Sequence, residues 1–352
     1  MSVKGYLYAL IHDQRQGLFD GIVKFFLWIL SLVYGALARV RRFAYAHGIL
    51  KSYHSHKPVI SVGNITLGGV GKTPLVIAIV RALGQQGIRA AVLIRGYMPK
   101  DEMFSDEALM LKECLAGVPI ITGADRRRGI EDCLKHHAVD VFVCDDAFGH
   151  IQLARDLNIV VIDAVNPFGN EQVVPRGILR EPLSVLKYVD MVVLTKTDIK
   201  GSKVEVIKQQ LAVIAPGTMF FSSTHKPKEC VDAFDHTRMG LEHFKGVSVV
   251  GFCGIGDTNA FRHSLQESGF DVINVIGFMD HHVYTAQDMA MVRKCADAHQ
   301  VKMIVTTHKD AVKLSEFREV WAGIEVYYLG IDLEITNGKN VFIERIVSVI
   351  RH

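Results

Sequence analysis

The 352-residue sequence predicts an α/β protein, built on a parallel sheet with helices on both faces. Short β-branched runs alternate with helical patterns along most of the chain, an order that is typical of parallel sheets. The composition agrees, because 49% hydrophobic and 22% charged residues are ordinary values for a globular protein. A glycine-rich segment joins the first strand to the helix after it, which indicates a ligand site at the carboxyl edge of the sheet.

The predicted α/β pattern begins at residue 59. Strands are expected at residues 59–62, 90–94, 141–144, 159–162, 191–194, 247–252, 303–307 and 326–329. Helices are expected at residues 75–83, 261–268 and 341–350. Residues 201–245 are more polar and typical of irregular structure, so we expect a boundary near residue 240. The resulting division is an N-terminal helical region (1–55), a core (56–240) and a smaller C-terminal α/β lobe (241–352).

The glycine-rich segment leads into Lys72 and Thr73, and then into an apolar helix with Pro74 near its start. Glycines let backbone N–H groups turn toward an anion, and the helix N-terminus adds a positive dipole. A lysine and a hydroxyl at this spacing suit phosphates and Mg²⁺. The strict pattern has glycine at position 66, where this chain has threonine. We therefore expect a P-loop NTPase-like core, with nucleotide contacts from Thr66, Leu67, Gly68, Gly69, Val70, Gly71, Lys72 and Thr73.

Two acids, Asp145 and Asp146, follow the apolar run 141–144. An enzyme with a phosphate loop needs a carboxylate that holds Mg²⁺ or its water shell beside the loop hydroxyl. We therefore expect a metal site made by Thr73, Asp145 and Asp146, with Asp145 the better candidate for a direct ligand. Acids that only cap a strand are the alternative, and the sequence leaves open which of the two binds the metal directly.

An apolar segment at residues 25–38 is preceded by Lys24 and followed by Arg39, Arg41 and Arg42. A helix of this length measures about 21 Å, less than the hydrocarbon thickness of a bilayer. Aromatic residues with a basic flank favour a helix that lies in or dips into the cytoplasmic leaflet. A buried helix of a soluble protein is the alternative. The net charge of +3 gives no reason to expect a nucleic acid partner.

Six scattered cysteines form no CxxC pair, so we expect reduced and mostly buried thiols. Other short motifs lie near predicted strand ends, and each alone also fits a surface loop: Arg95-Gly96-Tyr97, Ser105-Asp106-Glu107, residues 177–182 and Asp280-His281-His282. Residues 195–198 (Thr-Lys-Thr-Asp) resemble the guanine-reading motif of GTPases, and residues 307–310 (Thr-His-Lys-Asp) form a similar string. A GTPase-like P-loop metallochaperone or regulatory NTPase is therefore the alternative function.

Taken in order, the motifs resemble the tetraacyldisaccharide 4'-kinase family, the membrane-associated kinases of lipid A synthesis. The matching segments are Val62-Gly63-Asn64, Gly68 to Pro74, Arg95-Gly96-Tyr97, Asp106-Glu107, Asp125-Arg126, Asp145-Asp146, Arg155-Asp156, Gly169-Asn170, Leu179-Arg180-Glu181-Pro182, Gly254-Ile255-Gly256, Asp280-His281-His282 and Thr306-Thr307 with Lys309-Asp310. The chain departs from the family at Ala147-Phe148-Gly149, where the family has Gly-Phe-Gln, and at Ile94 and Ser105.

The resemblance implies transfer of the ATP γ-phosphate to the 4'-hydroxyl of a tetraacyldisaccharide 1-phosphate, which gives the bisphosphorylated lipid A precursor, lipid IVA. ATP and Mg²⁺ are the implied cofactors. Asp106 is expected to act as the general base, with His281 paired to it and Lys72 stabilising charge on the phosphates. Glu107 and Glu181 are candidate contacts to the metal or the acceptor, as is Asp146. Arg126 and Arg180 are candidates to bind a phosphate, either on the nucleotide or at the 1-position of the lipid.

The implied location is the cytoplasmic face of the inner membrane, with the enzyme peripheral or anchored by a single helix. The lipid substrate and the membrane surface are the implied partners, and no obligate protein partner is evident from the sequence. The C-terminal lobe is expected to close over the active site and exclude water. Acyl-chain preference and oligomeric state stay open.

Overall fold

The computed structural model describes residues 3–95, 105–255, 257–280 and 282–351. Its helices are α1 (Val3–Ile11), α2 (Leu18–Ala46), α3 (Lys72–Gln85), α4 (Asp106–Cys114), α5 (Arg126–His136), α6 (Val204–Ile214), α7 (Thr258–Glu267), α8 (Ala286–Ala298), α9 (His308–Ala311) and α10 (Lys339–Ser348). Its strands are β1 (Val59–Gly63), β2 (Ala90–Ile94), β3 (Ile120–Thr122), β4 (Val141–Asp145), β5 (Leu157–Asp163), β6 (Met191–Thr195), β7 (Met219–Asp232), β8 (Arg238–Gly240), β9 (Ser248–Cys253), β10 (Asp271–Gly277), β11 (Met303–Thr307) and β12 (Glu325–Ile335).

The chain divides into two compact units. The first contains Met1–Arg95, Gly117–Thr224 and Ile335–His352, and the second contains Gly96–Ala116 and His225–Glu334. The C-terminal helix α10 thus belongs to the same unit as the glycine-rich segment. The division into a membrane region, a kinase core and a C-terminal lobe stays a prediction.

The first unit is built on a parallel sheet with the strand order β7-β6-β5-β1-β4-β2-β3. Strands β1, β2, β4 and β6 are buried along their whole length. Such burial is typical of parallel strands whose two faces are both covered, and it explains their continuous apolar runs. In the register of β1 and β4, Val62 lies opposite Asp145. The carboxyl ends of these two central strands therefore lie side by side.

The second unit contains the strand order β10-β9-β11-β12, in which the neighbours are parallel. Strand β8 pairs with β7 in the antiparallel direction. The chain therefore has a mixed, mostly parallel α/β architecture, and the predicted fold class is confirmed.

The prediction of irregular structure at residues 201–245 is wrong, because α6, β7 and β8 lie there. Helix α6 buries Ile207 and Leu211. Strand β7 carries charged side chains in its second half, and they form ion pairs with β12: Lys226 with Glu334 and Lys228 with Asp332. This charged stretch lowers the apolar content of the strand and hides its β pattern.

The N-terminal helix was predicted too short. Helix α2 has 29 residues and extends well beyond residues 25–38 on both sides. At 1.5 Å per residue it measures about 44 Å, because residues 18–24 and the basic segment 39–46 are also helical. In the described part of the chain it is the one helix long and apolar enough to cross a membrane, with a mean hydropathy of 1.9. Length and composition alone are weak evidence for a span.

One side of α2 contacts the first unit. Ser31 Oγ donates to the carbonyl oxygen of Val173 at 2.7 Å, and the Tyr34 hydroxyl donates to the carbonyl oxygen of Arg180 at 2.9 Å. Further along the helix, the Arg42 guanidinium pairs with Glu181 at 2.5 Å. Other positions of α2 expose large apolar side chains, among them Leu18, Phe19, Ile22, Phe25, Phe26, Ile29, Leu30, Val33, Leu37 and Val40.

Candidate active site

The glycine-rich loop connects the end of β1 to the start of α3, as predicted. Gly71, which directly precedes α3, has a φ of 93°, a left-handed conformation that favours glycine. The loop is tied to the neighbouring β6, because the Thr195 hydroxyl donates to the carbonyl oxygen of Val70 at 3.0 Å. A Cβ atom on Gly63 would lie 2.7 Å from the backbone nitrogen of Phe148, so glycine is required where the turn after β4 approaches β1. The N-terminus of α3 therefore presents its N–H groups and positive dipole at the loop.

Thr73 and Asp145 meet beside this loop. The Thr73 hydroxyl donates to Oδ2 of Asp145 at 2.8 Å, and Asp145 is buried at the end of β4. A hydroxyl and a carboxylate are oxygen donors, the chemistry that Mg²⁺ prefers, so these residues fit a magnesium ion held with the phosphates. The structure thus brings together two of the three residues predicted for the metal site.

Asp146, the third predicted metal residue, forms ion pairs instead. The Arg180 guanidinium donates to both carboxylate oxygens of Asp146, at 3.0 and 2.5 Å, and Lys72 Nζ lies 3.8 Å from one of them. Asn64 completes the network, because its side-chain oxygen accepts from Lys72 at 3.3 Å and from Arg180 at 2.5 Å. This role of Asn64 was not predicted from the sequence, although its position directly after β1 could have indicated it.

Arg126 is a buried cation at the start of α5, with an exposed fraction of 4%. One of its terminal nitrogens donates to the carbonyl oxygen of Asp145 at 3.0 Å. The other, Nη1, is buried without a hydrogen-bond partner among the residues that the structure describes. A buried N–H group without a partner is costly, so this nitrogen is suited to an anionic ligand.

Two further basic side chains lie in the same region. Arg155 donates to the carbonyl oxygens of Ala147 and Phe148, at 3.1 and 2.9 Å, and burial lowers its pKa to about 10. Burial and the positive charges of Arg126 and Arg155 lower the pKa of His150 to about 4. His150 is therefore neutral at pH 7, and the region carries a concentrated positive charge from its arginines.

Glu181 is held by helix α2 through its pair with Arg42, whose guanidinium also lies over the Phe148 ring, 4.4 Å from its centroid. A Cβ atom on Gly149 would lie 3.3 Å from a Glu181 carboxylate oxygen. The segment in which this chain departs from the family pattern thus lies against Glu181 and Arg42.

Asp106 and Glu107 lie in the second unit, at the start of α4. Ser105 caps this helix by accepting from the backbone N–H of Ala108. Lys313 Nζ lies 2.7 Å from an Asp106 carboxylate oxygen. His281, predicted as the partner of Asp106, lies outside the described residues.

Lys309 joins the neighbouring acids of this unit. Its Nζ lies 2.8 Å from Asp280 and 3.6 Å from Glu107. The structure therefore gathers the predicted acids at the start of α4 with Asp280 and two lysines, Lys309 and Lys313, which the sequence analysis had not assigned to the site.

The two Thr-Lys-x-Asp-like strings differ in their surroundings. Asp310 of the second string is fully buried, and it accepts from the Gly254 N–H at 2.9 Å and from the Thr307 hydroxyl at 2.6 Å. A carboxylate used in this way supports the backbone and cannot reach a nucleotide base. In the first string, Lys196 is buried and pairs with Asp163 at 2.7 Å.

Comparison with known proteins decides the family. The family model described as "Tetraacyldisaccharide-1-P 4'-kinase" matches residues 23–351. The chain belongs to this kinase family.

Curated members of the kinase family match this sequence over nearly the whole chain. The tetraacyldisaccharide 4'-kinase of Halothermothrix orenii is 34% identical over 365 residues, with 95% of each chain covered. That of Elusimicrobium minutum is 36% identical over 342 residues, with 91% of this chain and 89% of the relative covered. Among solved structures, LpxK from Aquifex aeolicus in complex with ATP superposes with a TM-score of 0.74 at 25% identity, covering 93% of this chain and 99% of that one.

The kinase family explains why these residues occur together. The predicted phosphate loop, Lys72, Thr73 and Asp145 form one connected group in the first unit. Arg126 contacts Asp145, the last residue of β4, and Arg180 contacts Asp146, the residue after it. Asp106 and Glu107 form a second group with the lysines of α9 and the residues after it. The catalytic and binding roles of all these residues stay predictions.

Proposed function

We propose that this chain transfers the γ-phosphate of ATP to the 4'-hydroxyl of a tetraacyldisaccharide 1-phosphate. The observation that carries the proposal is the family match over residues 23–351, together with the Thr73–Asp145 contact beside the phosphate loop. A product with phosphates at both ends of the disaccharide follows from this reaction, and it is the precursor called lipid IVA.

Residues 66–73 of the loop are proposed to bind the nucleotide. Backbone N–H groups at the start of α3 would hold the phosphates, and Lys72 would stabilise the charge that develops on the transferred group. Thr73 and Asp145 would hold Mg²⁺, with Asp146 beside them on Arg180 and Lys72. When bound, the metal ion would neutralise part of the charge on the phosphates. Asn64 orients Lys72 through the hydrogen bond at 3.3 Å.

The acceptor hydroxyl must lose a proton as it attacks phosphorus, and Asp106 is the proposed base. Lys313 Nζ lies 2.7 Å from its carboxylate and can hold it in place, and a carboxylate can accept the proton. His281 is proposed to pair with Asp106, and Glu107 is proposed as a further contact to the acceptor.

An anionic group of one substrate is proposed to bind at Arg126. The support is the buried Nη1 atom described above and the positive charge around His150. The ligand is a phosphate group, either on the nucleotide or at the 1-position of the lipid. Arg180 and Glu181 lie on the adjoining loop, and they are proposed as contacts to the acceptor.

Helix α2 is proposed to hold the enzyme on the cytoplasmic face of the inner membrane, where both ATP and the lipid acceptor are available. Ser31, Tyr34 and Arg42 bind one side of the helix to the first unit, as described above. A helix tied to the protein in this way is suited to lie in the membrane interface, with its exposed apolar side chains among the lipids. Crossing the bilayer would separate these contacts from their partners.

Replacing Phe26 and Leu30 together by glutamate tests this arrangement, because both are exposed, at 60% and 55%. We expect binding to vesicles containing phosphatidylglycerol to weaken by about 10²- to 10⁴-fold, since each of the two large apolar side chains contributes about 1.5–3 kcal/mol on burial. Cosedimentation with the vesicles measures it. Val213→Glu, at an 84% exposed apolar position on α6, is the matched control and should bind as the unmodified protein does. Equal binding by the double variant would contradict the interfacial arrangement.

The proposed reaction is tested by supplying the purified protein with tetraacyldisaccharide 1-phosphate in mixed micelles, Mg²⁺ and γ-labelled ATP or GTP. We expect labelled bisphosphorylated lipid from ATP, and none from a Lys72→Ala variant, because the loop then lacks its cation. The absence of a lipid product, combined with GTP hydrolysis that Asp198→Ala abolishes, would overturn the proposal in favour of the GTPase-like alternative.

A further inference from the structure

The junction of helices α4 and α9 contains a group of side chains that the proposed reaction does not use. His308 lies at its centre, with its Nε2 atom 2.7 Å from a Glu113 carboxylate oxygen and its Nδ1 atom 3.7 Å from Cys114 Sγ. The imidazole is stacked on Tyr328, with ring centroids 4.2 Å apart and planes inclined by 9°. We call Glu113, Cys114, His308 and Tyr328 the His308 cluster. Its geometry fixes one ring nitrogen on a carboxylate and the other on a sulfur.

The contacts of the ring favour its protonated form. Burial lowers the pKa of His308, but the contacts with Cys114 and Glu113 outweigh burial and raise the pKa to about 9. The hydrogen bond from His308 also lowers the pKa of Glu113. A protonated imidazole has an N–H donor at each nitrogen, so it can donate to the sulfur and the carboxylate together. Cys114 therefore lies beside a fixed cation at neutral pH.

The other cysteines of the chain have different surroundings. Cys133, Cys144, Cys230 and Cys253 are buried, and burial raises the pKa of each thiol. Cys295 is half-buried like Cys114, but its sulfur faces the side-chain amide of Asn274 at 3.5 Å. Among the six cysteines, all within the described residues, Cys114 combines access to solvent with a neighbouring imidazole. An accessible sulfur in contact with an imidazole is an arrangement typical of reactive cysteines.

We propose that Cys114 is a reactive thiol and a site of reversible modification by low-molecular-weight disulfides. The Cys114 thiolate attacks one sulfur of a disulfide RSSR, a new S–S bond forms to Cys114, and the original S–S bond breaks. The released thiolate RS⁻ takes a proton from the solvent. His308 stabilises the attacking thiolate, while Glu113 and Tyr328 hold its ring in place. A thiol reductant reverses the reaction by the same exchange.

Modification of Cys114 would act on the acids at the other end of α4. This consequence, unlike the reactivity of the thiol, rests on the proposed function. Helix α4 begins with Asp106 and Glu107, and their lysine partners, Lys313 and Lys309, follow His308 closely along the chain. A group added to Cys114 lies between α4 and His308 and would separate the two helices. The Asp106–Lys313 pair then loosens, and turnover by the kinase falls.

The test of reactivity treats the full-length native protein with glutathione disulfide at pH 7 and follows each cysteine peptide by mass spectrometry. We expect Cys114 to be modified at least about tenfold faster than Cys295, because an imidazole contacts the Cys114 sulfur whereas the Cys295 sulfur faces an amide. His308→Gln, which keeps a polar side chain but loses the charge, should slow the modification of Cys114 by a similar factor. Cys114→Ser should remove it.

The matched control is His299→Gln, because His299 contacts the backbone oxygen of Cys295, at 2.9 Å, and not its sulfur. This variant should leave the modification rates of both Cys114 and Cys295 unchanged. Equal rates for Cys114 and Cys295 in the unmodified protein would overturn the proposal, and this comparison does not depend on whether His308→Gln folds. An unchanged Cys114 rate in a folded His308→Gln variant would overturn the role of the imidazole.

The consequence for catalysis is measured by lipid phosphorylation before and after treatment. Turnover of the unmodified protein should fall with the fraction of Cys114 modified and recover with a thiol reductant, while Cys114→Ser should be unaffected. Full turnover by completely modified protein would contradict the link to catalysis. Absence of turnover before treatment would contradict the proposed function instead, and the mass-spectrometric result would still decide the reactivity of Cys114.

Discussion

Replacing Asp106 by asparagine is expected to lower turnover by about 10²- to 10⁴-fold, the range for loss of a general base. Asparagine keeps the size of the side chain and can still accept from Lys313, which lies 2.7 Å from Asp106. It cannot accept a proton from the acceptor hydroxyl. ATP affinity should change little, because the phosphate loop, Lys72 and Thr73 are unaltered. Initial rates of lipid phosphorylation, with ATP affinity measured separately, check both expectations.

Glu107→Gln is the matched control for this experiment. Glu107 follows Asp106 in the first turn of α4, and its contact with Lys309 is longer, at 3.6 Å. As a contact to the acceptor it should raise the KM for the lipid by about 10- to 150-fold, since one hydrogen bond of a charged group contributes about 1.5–3 kcal/mol. It should lower kcat much less than Asp106→Asn does. The reverse outcome, with Glu107→Gln inactive and Asp106→Asn active, would move the role of the base to Glu107.

Most of the fold could be predicted because local patterns determine it. The central strands β1, β2, β4 and β6 are continuous apolar runs, and burial on both faces produces that pattern. Strand β7 could not be found in this way, because its charged half is stabilised by ion pairs with β12, more than a hundred residues later. The extent of α2 also exceeded its apolar segment, because Arg42 and its neighbours continue the helix to bind Glu181.

In the candidate site, too, some contacts could be predicted from local sequence patterns and others could not. The Thr73–Asp145 contact could be predicted although 72 residues separate the two. The glycine-rich loop that leads to Thr73 follows β1, and Asp145 ends the neighbouring parallel strand β4. The Asn64–Arg180 hydrogen bond joins residues 116 positions apart, and Arg180 lies on an irregular loop whose path no local pattern determines. Lys313 was missed as the partner of Asp106 for the same reason, since it lies on a short turn after α9.

Contacts of α2 connect the proposed membrane helix to Asp146 through Arg180. The Tyr34 hydroxyl donates to the carbonyl oxygen of Arg180, and the Arg180 side chain holds Asp146. The next residue, Glu181, pairs with Arg42 of the same helix. The helix proposed to lie among the lipids therefore also positions the loop that supports Asp146. Removing the whole helix would disturb this loop, which is why substitutions on its exposed side test membrane binding more cleanly than a truncation.

Asp145→Asn should lower the apparent affinity for Mg²⁺ that is measured through ATP binding. Asp146→Asn should leave this affinity nearly unchanged. Asp145 accepts from the Thr73 hydroxyl at 2.8 Å, whereas Asp146 is bound by Arg180 and approached by Lys72. We expect the apparent Mg²⁺ affinity to fall by about 10- to 100-fold in Asp145→Asn, as when groups that hold or orient a metal are removed. Titration of Mg²⁺ against ATP binding measures this without relying on turnover.

The paired variant separates the two acids because their surroundings differ. In Asp146→Asn, Arg180 loses a charged partner but keeps its hydrogen bond to Asn64, so the loop is loosened and not released. Its effect should therefore appear in the KM for the lipid, with Mg²⁺ affinity within about threefold of the original, a change below 1 kcal/mol. A larger loss of Mg²⁺ affinity in Asp146→Asn than in Asp145→Asn would assign the metal to Asp146. The Thr73–Asp145 contact would then serve only to fix the start of α3 against β4.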